Sequence, residues 1–273
     1  MTKFNIPKIS IKNLLSSIKD SSFYKKNQFI NSLSSFDLKI QNNLAFIDKA
    51  KLNKININDI KASCVIVSEK IKYSKNFIVN KNPRFLFEKI CKQMIKNYDK
   101  DLFIDTYKEK YEIGKNTFIS KFAIIESGVK IGNNVVIHKN SHIKKNTIIS
   151  SGAIIGNVGT GPYMANGVYR NCAHLGGVII EKNSYIGSNT VITRGTLSNT
   201  IIGENSFISN LVNIGHNVQI GKSNLISSSV CIGGGTKTGK MVEIGLGATI
   251  NTNIMIGNNC KIGMNTNVIK SLK

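Results

Sequence analysis

Branched aliphatic residues recur every sixth position through the second half of the chain. The repeats form three runs, over 113–155, 180–192 and 202–268, and Thr238 is the exception in the last run. On an α-helix, successive marked residues would lie about 600° apart and about 120° out of alignment, so a helix does not explain the spacing. Each unit instead predicts one short strand and one turn, with the branched residue pointing inward. Three units close a triangular coil, and the 23 units predict between seven and eight coils of a parallel β-helix.

Glycine and asparagine cluster between these units, as in Gly132-Asn133-Asn134 and Gly257-Asn258-Asn259. Both residue types tolerate a positive φ, which tight turns require. The predicted fold class is therefore mainly β, a hexapeptide-repeat parallel β-helix over residues 111–273. The period is broken at 157–177 by a Gly-rich segment, which predicts one long loop insertion of functional interest.

Residues 1–110 lack the six-residue period and predict a small α/β domain that holds part of a substrate. Apolar runs at 62–67 and 76–79 predict strands. Asn82 is a suitable N-cap and Pro83 suits a first helical turn, so a helix is expected to begin there. A further helix is predicted over 10–18.

The net charge of +22 arises from 37 basic and 15 acidic residues, spread without a dense basic block. A positive surface favours anionic ligands such as nucleotides, coenzyme A or an acidic carrier protein, and no nucleic-acid motif is present. No apolar stretch is long enough for a membrane span, and the N-terminus lacks a secretory signal, so a cytoplasmic protein is expected. No Cys-x-x-Cys pair occurs, and His138 and His142, four residues apart, are only a weak metal signal, so no metal is predicted.

Three segments resemble the UDP-3-O-acylglucosamine N-acyltransferase family of lipid A synthesis. They are 190–197 (TVITRGTL), 210–221 (NLVNIGHNVQIG) and 82–85 (NPRF), and the last is similar to that family's uracil-binding segment. Families with the hexapeptide signature are wound left-handed and are mostly trimeric acyltransferases with active sites between subunits. The resemblance therefore implies a left-handed parallel β-helix and a homotrimer.

The resemblance also implies site residues. His216 matches the family's catalytic base, and Gly234, 18 residues later, matches a glycine whose amide stabilises the oxyanion. Asn82 would contact the base of a nucleotide, and Phe85 would stack against that base.

The chemistry of amide formation from a thioester supports the same two catalytic positions. The reaction needs an uncharged amine, a proton acceptor and donors for the oxyanion. A histidine takes up a proton near neutral pH, and His216 follows an inward residue near a coil corner. The run 233–235 of three glycines would let a thioester approach the backbone closely. An alternative mechanism is substrate-assisted, with the amine attacking unaided.

Further candidates are polar residues near these motifs and in the insertion. Asn210 and Asn213 are candidates for orienting the sugar, and Arg194 is a candidate for holding a diphosphate. Tyr163, Arg170 and His174 are the candidates in the insertion.

The chain departs from the resembled family at three positions. Thr193 and Ser209 replace Asp residues, and Asn253 replaces a second functional His. The sequence ends at Lys273, directly after the last hexad and without the family's C-terminal helical extension, which engages acyl carrier protein. These departures favour a sister group, the coenzyme A-dependent N-acyltransferases of nucleotide-linked amino sugars.

The predicted function is N-acyl transfer from acyl-CoA to the amine of a dTDP- or UDP-linked amino sugar for surface polysaccharide or lipopolysaccharide synthesis. Two alternatives stay open. One is an acyl-carrier-protein-dependent UDP-3-O-acylglucosamine N-acyltransferase, and the other is an inert β-helical binding or structural module. O-acylation also stays open.

Overall fold

The structure, a computed structural model, describes residues 4–17, 28–34, 39–52, 54–95 and 112–273. These residues fall into two compact units. One lies within Met1–Asp99 and Thr160–Leu175, and the other within Lys100–Gly159 and Gly176–Lys273. The predicted domain boundary at residue 110 lies outside the described residues.

The first unit contains a five-stranded sheet in the order β1-β2-β3-β4-β5. Its strands are β1 (Phe4–Ser10), β2 (Phe29–Leu33), β3 (Asn43–Phe46), β4 (Cys64–Val67) and β5 (Asn76–Val79). β1 and β2 are antiparallel, and the remaining neighbours are parallel. All residues of β3 and β4 are buried, as expected of parallel strands covered on both faces. The strands predicted at 62–67 and 76–79 are confirmed as β4 and β5.

The helices of this unit are α1 (Ile11–Ser17), α2 (Lys49–Leu52) and α3 (Pro83–Ile95), with a 3-10 helix at Ile57–Asp59. α3 begins where predicted, because Asn82 Oδ1 accepts the Phe85 N–H at 3.2 Å and Pro83 occupies the first turn. Phe87 of α3 is buried, and its ring centroid lies 5.0 Å from that of Phe46 in β3. α1 confirms the helix predicted near 10–18.

The second unit is a parallel β-helix of 23 short strands in sheets of eight, seven and eight. Its strands, together with the hairpin β14–β15 that interrupts them in sequence, are β6 (Glu112–Ile113), β7 (Phe118–Ile119), β8 (Ile124–Ile125), β9 (Lys130–Ile131), β10 (Val136–Ile137), β11 (Ser141–Ile143), β12 (Ile148–Ile149), β13 (Ile154–Asn157), β14 (Pro162–Ala165), β15 (Val168–Asn171), β16 (Val178–Ile180), β17 (Tyr185–Ile186), β18 (Val191–Thr193), β19 (Thr200–Ile202), β20 (Phe207–Ile208), β21 (Asn213–Ile214), β22 (Gln219–Ile220), β23 (Leu225–Ile226), β24 (Cys231–Ile232), β25 (Lys237–Thr238), β26 (Glu243–Ile244), β27 (Thr249–Ile250), β28 (Met255–Ile256), β29 (Lys261–Ile262) and β30 (Asn267–Val268). Each strand pairs with the strand one coil away, so Ile214 lies between Ile192 and Ile232.

The predicted inward residues form one continuous apolar core along the β-helix. In most strands the branched residue is buried and the residue before it is exposed. Thr238 keeps the inward register, and its Oγ1 accepts the Gly221 N–H at 2.9 Å. The predicted fold class, a mainly β protein with a left-handed parallel β-helix, is confirmed.

Asparagines at the corners explain part of the unusual composition. Asn134 and Asn259 have φ of 55° and 59°, as the Gly-Asn-Asn segments predicted. Corner asparagines also connect coils: Asn258 Oδ1 accepts the Lys240 N–H at 2.9 Å. These side chains therefore stabilise both the turns and the stacking of coils.

The insertion predicted at 157–177 contains the antiparallel hairpin β14–β15. Asn166 and Gly167 form its turn with φ of 53° and 73°, the combination that a two-residue hairpin turn requires. The hairpin belongs to the first unit, where Tyr163, Ala165 and Cys172 form a small apolar cluster against Phe85.

Candidate active site

His216 lies at a corner of the β-helix, in the turn between β21 and β22. Its side chain is half-buried, so it is both supported by the protein and accessible. Its carbonyl oxygen accepts the Gly235 N–H of the next coil at 2.8 Å. The backbone that carries the imidazole is therefore fixed by a hydrogen bond to the next coil.

Asn217 determines which ring nitrogen of His216 carries the proton. The Asn217 Oδ1 accepts the Thr196 N–H at 3.0 Å, and its Nδ2 donates to the Ser198 carbonyl at 3.3 Å. These two backbone groups have fixed donor and acceptor roles, so the orientation of the amide is determined. Because Asn217 Oδ1 also lies 3.0 Å from His216 Nδ1, that nitrogen must be the donor. In the neutral ring, Nε2 is then the acceptor.

The partners of Asn217 lie on a six-residue corner loop, 194–199, between β18 and β19. Thr196 Oγ1 also donates to Asn217 Oδ1 at 2.9 Å, and Asn217 Nδ2 donates to Ser198 Oγ at 2.7 Å. Thr200 closes the loop, since its Oγ1 accepts the Asn217 N–H at 2.9 Å and donates to the Thr193 carbonyl at 2.7 Å. The loop thus surrounds Asn217 with hydrogen bonds.

Gly234 lies directly against the imidazole, one coil after His216. A methyl group built on Gly234 would come within 2.7 Å of Nε2 and 2.8 Å of Cε1. Only glycine leaves room for the ring in this position. Among the hydrogen bonds of the described residues, none engages the Gly234 N–H. A ring nitrogen with a lone pair and an amide donor therefore share one small region, the combination that acyl transfer requires.

Arg194, predicted to hold a diphosphate, is only 2% exposed. Its Nε donates to the Gly156 carbonyl at 2.6 Å, and its N–H donates to the Asn157 carbonyl at 3.1 Å. This burial favours a structural role that ties two coils together, and phosphate binding by Arg194 stays a prediction.

The two sugar-orienting candidates occupy different positions on the β-helix. Asn210 is exposed, but its Oδ1 accepts the Ser188 N–H of the preceding coil at 2.8 Å, as Asn258 Oδ1 does with the Lys240 N–H. Asn213 is the exposed first residue of β21, three residues before His216. The Asn210 side chain thus already takes part in a hydrogen bond between coils, and both roles stay predictions.

The remaining candidates lie in the first unit, where α3 contacts the hairpin and the segment after it. The Arg84 guanidinium lies 4.8 Å from the Tyr163 ring centroid, and the Arg170 guanidinium lies 5.2 Å from that of Phe85. Asn82 is occupied as a helix cap. The nucleotide-binding roles predicted for Asn82 and Phe85 stay predictions, as do the ligand-binding roles of Tyr163 and Arg170 in the insertion. The Tyr163 and Phe85 rings each already have a cationic neighbour.

His174 and Glu88 fix the segment that follows the hairpin. His174 is buried, and its Nδ1 donates to the Cys172 carbonyl at 3.0 Å. Glu88 of α3 is also buried, and its Oε2 accepts the Ala173 N–H at 2.7 Å. Burial raises the pKa of the Glu88 carboxyl, although Ala173 N–H, Arg84 and Lys92 oppose the shift. Sequence reasoning did not identify Glu88, because a single Glu on a helix carries no signal of burial.

The positions that depart from the resembled family are integrated into the coils. Thr193 is buried and its carbonyl accepts from Thr200. Ser209 Oγ lies 2.7 Å from Ser228 Oγ. Asn253 donates its N–H to the Gly234 carbonyl at 2.9 Å and has φ of 58°. Asn253 therefore supports the backbone of Gly234 from the coil beyond it.

The described part of the chain contains neither a candidate metal cluster nor a helix suited to a membrane. No group of three or more His, Cys, Asp or Glu residues there has a metal-binding arrangement. None of the helices described is both long and apolar enough to cross a membrane.

Models of hexapeptide families match three parts of the β-helix. Residues 110–145 match the family "Bacterial transferase hexapeptide (six repeats)". Residues 177–210 and 236–270 match "Hexapeptide repeat of succinyl-transferase". The chain resembles hexapeptide-repeat acyltransferases. No curated protein matches the chain significantly.

Several solved structures are similar to parts of the chain. UDP-N-acetylglucosamine O-acyltransferase from Moraxella catarrhalis is 20% identical, with a TM-score of 0.49, over 60% of this chain and 64% of that protein. The Francisella novicida UDP-N-acetylglucosamine acyltransferase is 24% identical, with a TM-score of 0.35, over 56% of this chain and 54% of the other. AntD, an N-acyltransferase from Bacillus cereus solved with dTDP and 3-hydroxybutyryl-CoA, is 18% identical, with a TM-score of 0.27, over 55% of this chain and 74% of AntD. The chain thus spans less than two thirds of the two UDP-N-acetylglucosamine acyltransferases.

Proposed function

We propose that this protein is an N-acyltransferase that moves an acyl group from coenzyme A to the amine of a nucleotide-linked amino sugar. The observation that carries the proposal is the pairing of His216 with Gly234. The imidazole has its Nδ1 committed to Asn217, and its Nε2 edge lies over a residue with no side chain and an unused N–H.

These groups can perform each step of amide formation. The amine nitrogen attacks the thioester carbonyl carbon, a C–N bond forms, and the carbonyl oxygen becomes an oxyanion. His216 Nε2 removes a proton from the attacking nitrogen, and the Gly234 N–H stabilises the oxyanion. The C–S bond then breaks, and the proton passes from Nε2 to the leaving thiolate. General-base catalysis contributes about 10²–10⁴ in rate, and one oxyanion donor contributes about 10²–10³.

The positive charge of the chain supports an anionic donor and acceptor such as coenzyme A and a nucleotide sugar. Asn213 at the same corner is part of the proposal as a polar contact for the sugar, and Asn82 and Phe85 are part of it as contacts for the nucleotide. The proposal needs no metal.

A homotrimer is also part of the proposal. Apolar side chains occupy the outward positions of four successive rungs of one sheet: Ile148, Tyr185, Phe207 and Leu225. The Tyr185 and Phe207 rings are stacked with centroids 4.4 Å apart, and Phe207 is 45% exposed. An apolar outer face of this kind favours contact with another copy of the chain.

The test is product analysis by mass spectrometry. The purified protein is incubated with dTDP- and UDP-linked amino sugars and with acyl-CoA donors of different length, and an acyl-carrier-protein donor is run in parallel. We expect an amide product with one acyl-CoA and one nucleotide sugar. His216→Ala should reduce kcat by at least about 10². His142→Asn is the matched control, since His142 is another histidine on the β-helix surface, paired with Glu126 at 2.7 Å.

Each alternative has a distinct result in this assay. An ester product, recognised by its cleavage with hydroxylamine, would contradict N-acylation. Turnover with the carrier-protein donor alone would contradict use of coenzyme A. A loss below about tenfold in His216→Ala would contradict general-base catalysis and favour a substrate-assisted reaction. No product from any pair would contradict the proposed function.

A further inference from the structure

The spacing of the inward residues changes between the second run, which ends at Ile192, and the third run, which begins at Ile202. These residues are ten positions apart instead of six, so four additional residues enter the corner loop 194–199. The strands on both sides keep their places in the sheets, since β18 pairs with β21 and β19 pairs with β22. The additional residues therefore change only the corner, and this corner lies one coil before His216.

Two residues of the corner loop, Thr196 and Ser198, make polar contacts with the side chain of Asn217. Thr196 provides two donors to Asn217 Oδ1, and Ser198 provides two acceptors to Asn217 Nδ2. Gly195 makes this arrangement possible, because a methyl group on it would come within 2.8 Å of Asn217 Nδ2 and would also overlap the Ser198 carbonyl. The side-chain amide is thus held at each end by one backbone group of fixed role, the Thr196 N–H or the Ser198 carbonyl, and by one hydroxyl.

We infer that the corner loop 194–199 acts through Asn217 to keep the proton of neutral His216 on Nδ1, so that Nε2 faces Gly234 as a proton acceptor. Asn217, Thr196 and Ser198 are then positioning residues. The amide oxygen orients the ring as a carboxylate would, but it is uncharged and forms no ion pair with the ring. The catalytic consequence rests on the proposed function, whereas the position of the proton does not.

The position of the proton is read directly by long-range ¹H–¹⁵N NMR on deuterated protein containing ¹⁵N-histidine, at about pH 8 where an ordinary imidazole is neutral. The His216 signals are identified by their loss in His216→Gln. The wild-type protein should show His216 protonated on Nδ1. Asn217→Leu removes the acceptor and should give a ring with substantial protonation on Nε2. Protonation of wild-type His216 on Nε2 would overturn the inference, whether or not the protein transfers acyl groups.

Kinetics then test the role of the loop. Asn217→Leu should lower kcat by at least about tenfold, with KM changed by less than about twofold, because the ring is misoriented and substrate contacts remain. Asn217→Asp keeps the acceptor, so it should keep Nδ1 protonated and move the acidic limb of the kcat/KM profile to higher pH. The double variant Thr196→Val, Ser198→Ala removes two of the four contacts and should lower kcat by about three- to tenfold.

Asn258→Leu is the matched control, since Asn258 is a corner asparagine that accepts a backbone N–H at 2.9 Å in another part of the β-helix. It should leave both the His216 spectrum and kcat unchanged. A loss of activity in the Asn217 and loop variants with an unchanged His216 tautomer and pH profile would show a merely structural role and overturn the inference. The double variant keeps both backbone contacts and so should keep the wild-type tautomer, and a wild-type kcat in it would overturn the part assigned to the loop hydroxyls.

Discussion

The contact between Gly234 and the imidazole leads to a sharp prediction for Gly234→Ala. The new methyl group would lie 2.7 Å from Nε2, 2.8 Å from Cε1 and 3.1 Å from Cδ2 of His216. Carbon and nitrogen atoms pack at about 3.5 Å or more, so the ring must move by about 1 Å. It cannot do so while keeping the 3.0 Å hydrogen bond from Nδ1 to Asn217.

The movement should affect catalysis far more than stability. A displacement of about 1 Å in a catalytic group costs about 10² in rate, or about 2.7 kcal/mol in transition-state stabilisation. His216 is half-buried, so the ring can turn toward solvent without disturbing the core. The backbone of Gly234 has no positive φ, and a residue with a Cβ is therefore tolerated there. We expect Tm to change by less than about 4 °C, which corresponds to about 2 kcal/mol at most.

The assay compares steady-state rates with the acyl donor and amino sugar found by product analysis, together with thermal unfolding. Gly263→Ala is the control, because its methyl group would meet only Thr266 Oγ1, at 3.3 Å. Wild-type kcat in Gly234→Ala would refute the reasoning, since it would mean that the ring has no need of its present position. An equal loss in Gly263→Ala would show a general response of the β-helix to corner substitutions.

Two further predictions concern the buried carboxyl and the apolar outer face. Burial raises the pKa of Glu88, so the folded protein holds this proton to higher pH than the unfolded chain; stability is lost as the pH rises above the unfolded pKa, and the loss is complete above the folded pKa. Glu88→Gln retains an oxygen for the Ala173 N–H and should raise Tm at pH 8, with the difference vanishing below about pH 4; a pH-independent difference in thermal unfolding would contradict this. Phe207→Glu places a charge on the apolar face and should convert the expected trimer to smaller species in sedimentation velocity, with an unchanged circular dichroism spectrum; an unchanged mass would show that this face is not the interface.

The repeat could be predicted almost completely from the sequence because the β-helix has one rule for every coil. An inward position tolerates a branched aliphatic residue and little else, so the period appears directly in the chain. Even Thr238 obeys the register, because its hydroxyl accepts the Gly221 N–H. The α/β unit was predicted only at β4, β5, α1 and α3. In strand β2, Asn31 is exposed and Ser32 is buried. These polar residues interrupt the alternation of apolar and polar residues by which a strand is recognised in a sequence.

The candidate site was predicted only in part, for a physical reason. His216 and Gly234 are separated by one coil, so the repeat itself places them together. The four additional residues of the corner loop were visible as a change of phase, but the direction in which a loop folds is not encoded in a period. Asn166-Gly167 in the insertion was a hairpin signal that sequence reasoning could have used. The burial of Arg194 was not predictable, because an Arg in a motif of resembled enzymes is equally compatible with binding a ligand and with supporting a coil.

From Ile202 onward, stacked residues are eighteen positions apart in the chain, and this spacing limits how the β-helix can change its length. Duplicating one complete coil beyond Val268 would extend the cylinder and leave every existing vertical neighbour in place. Duplicating six residues between His216 and Gly234 would instead rotate the glycine to another edge of the prism and separate the pair. Two kinds of length change therefore keep His216 and Gly234 together. One adds a whole coil, and the other enlarges a single corner, as in the loop 194–199.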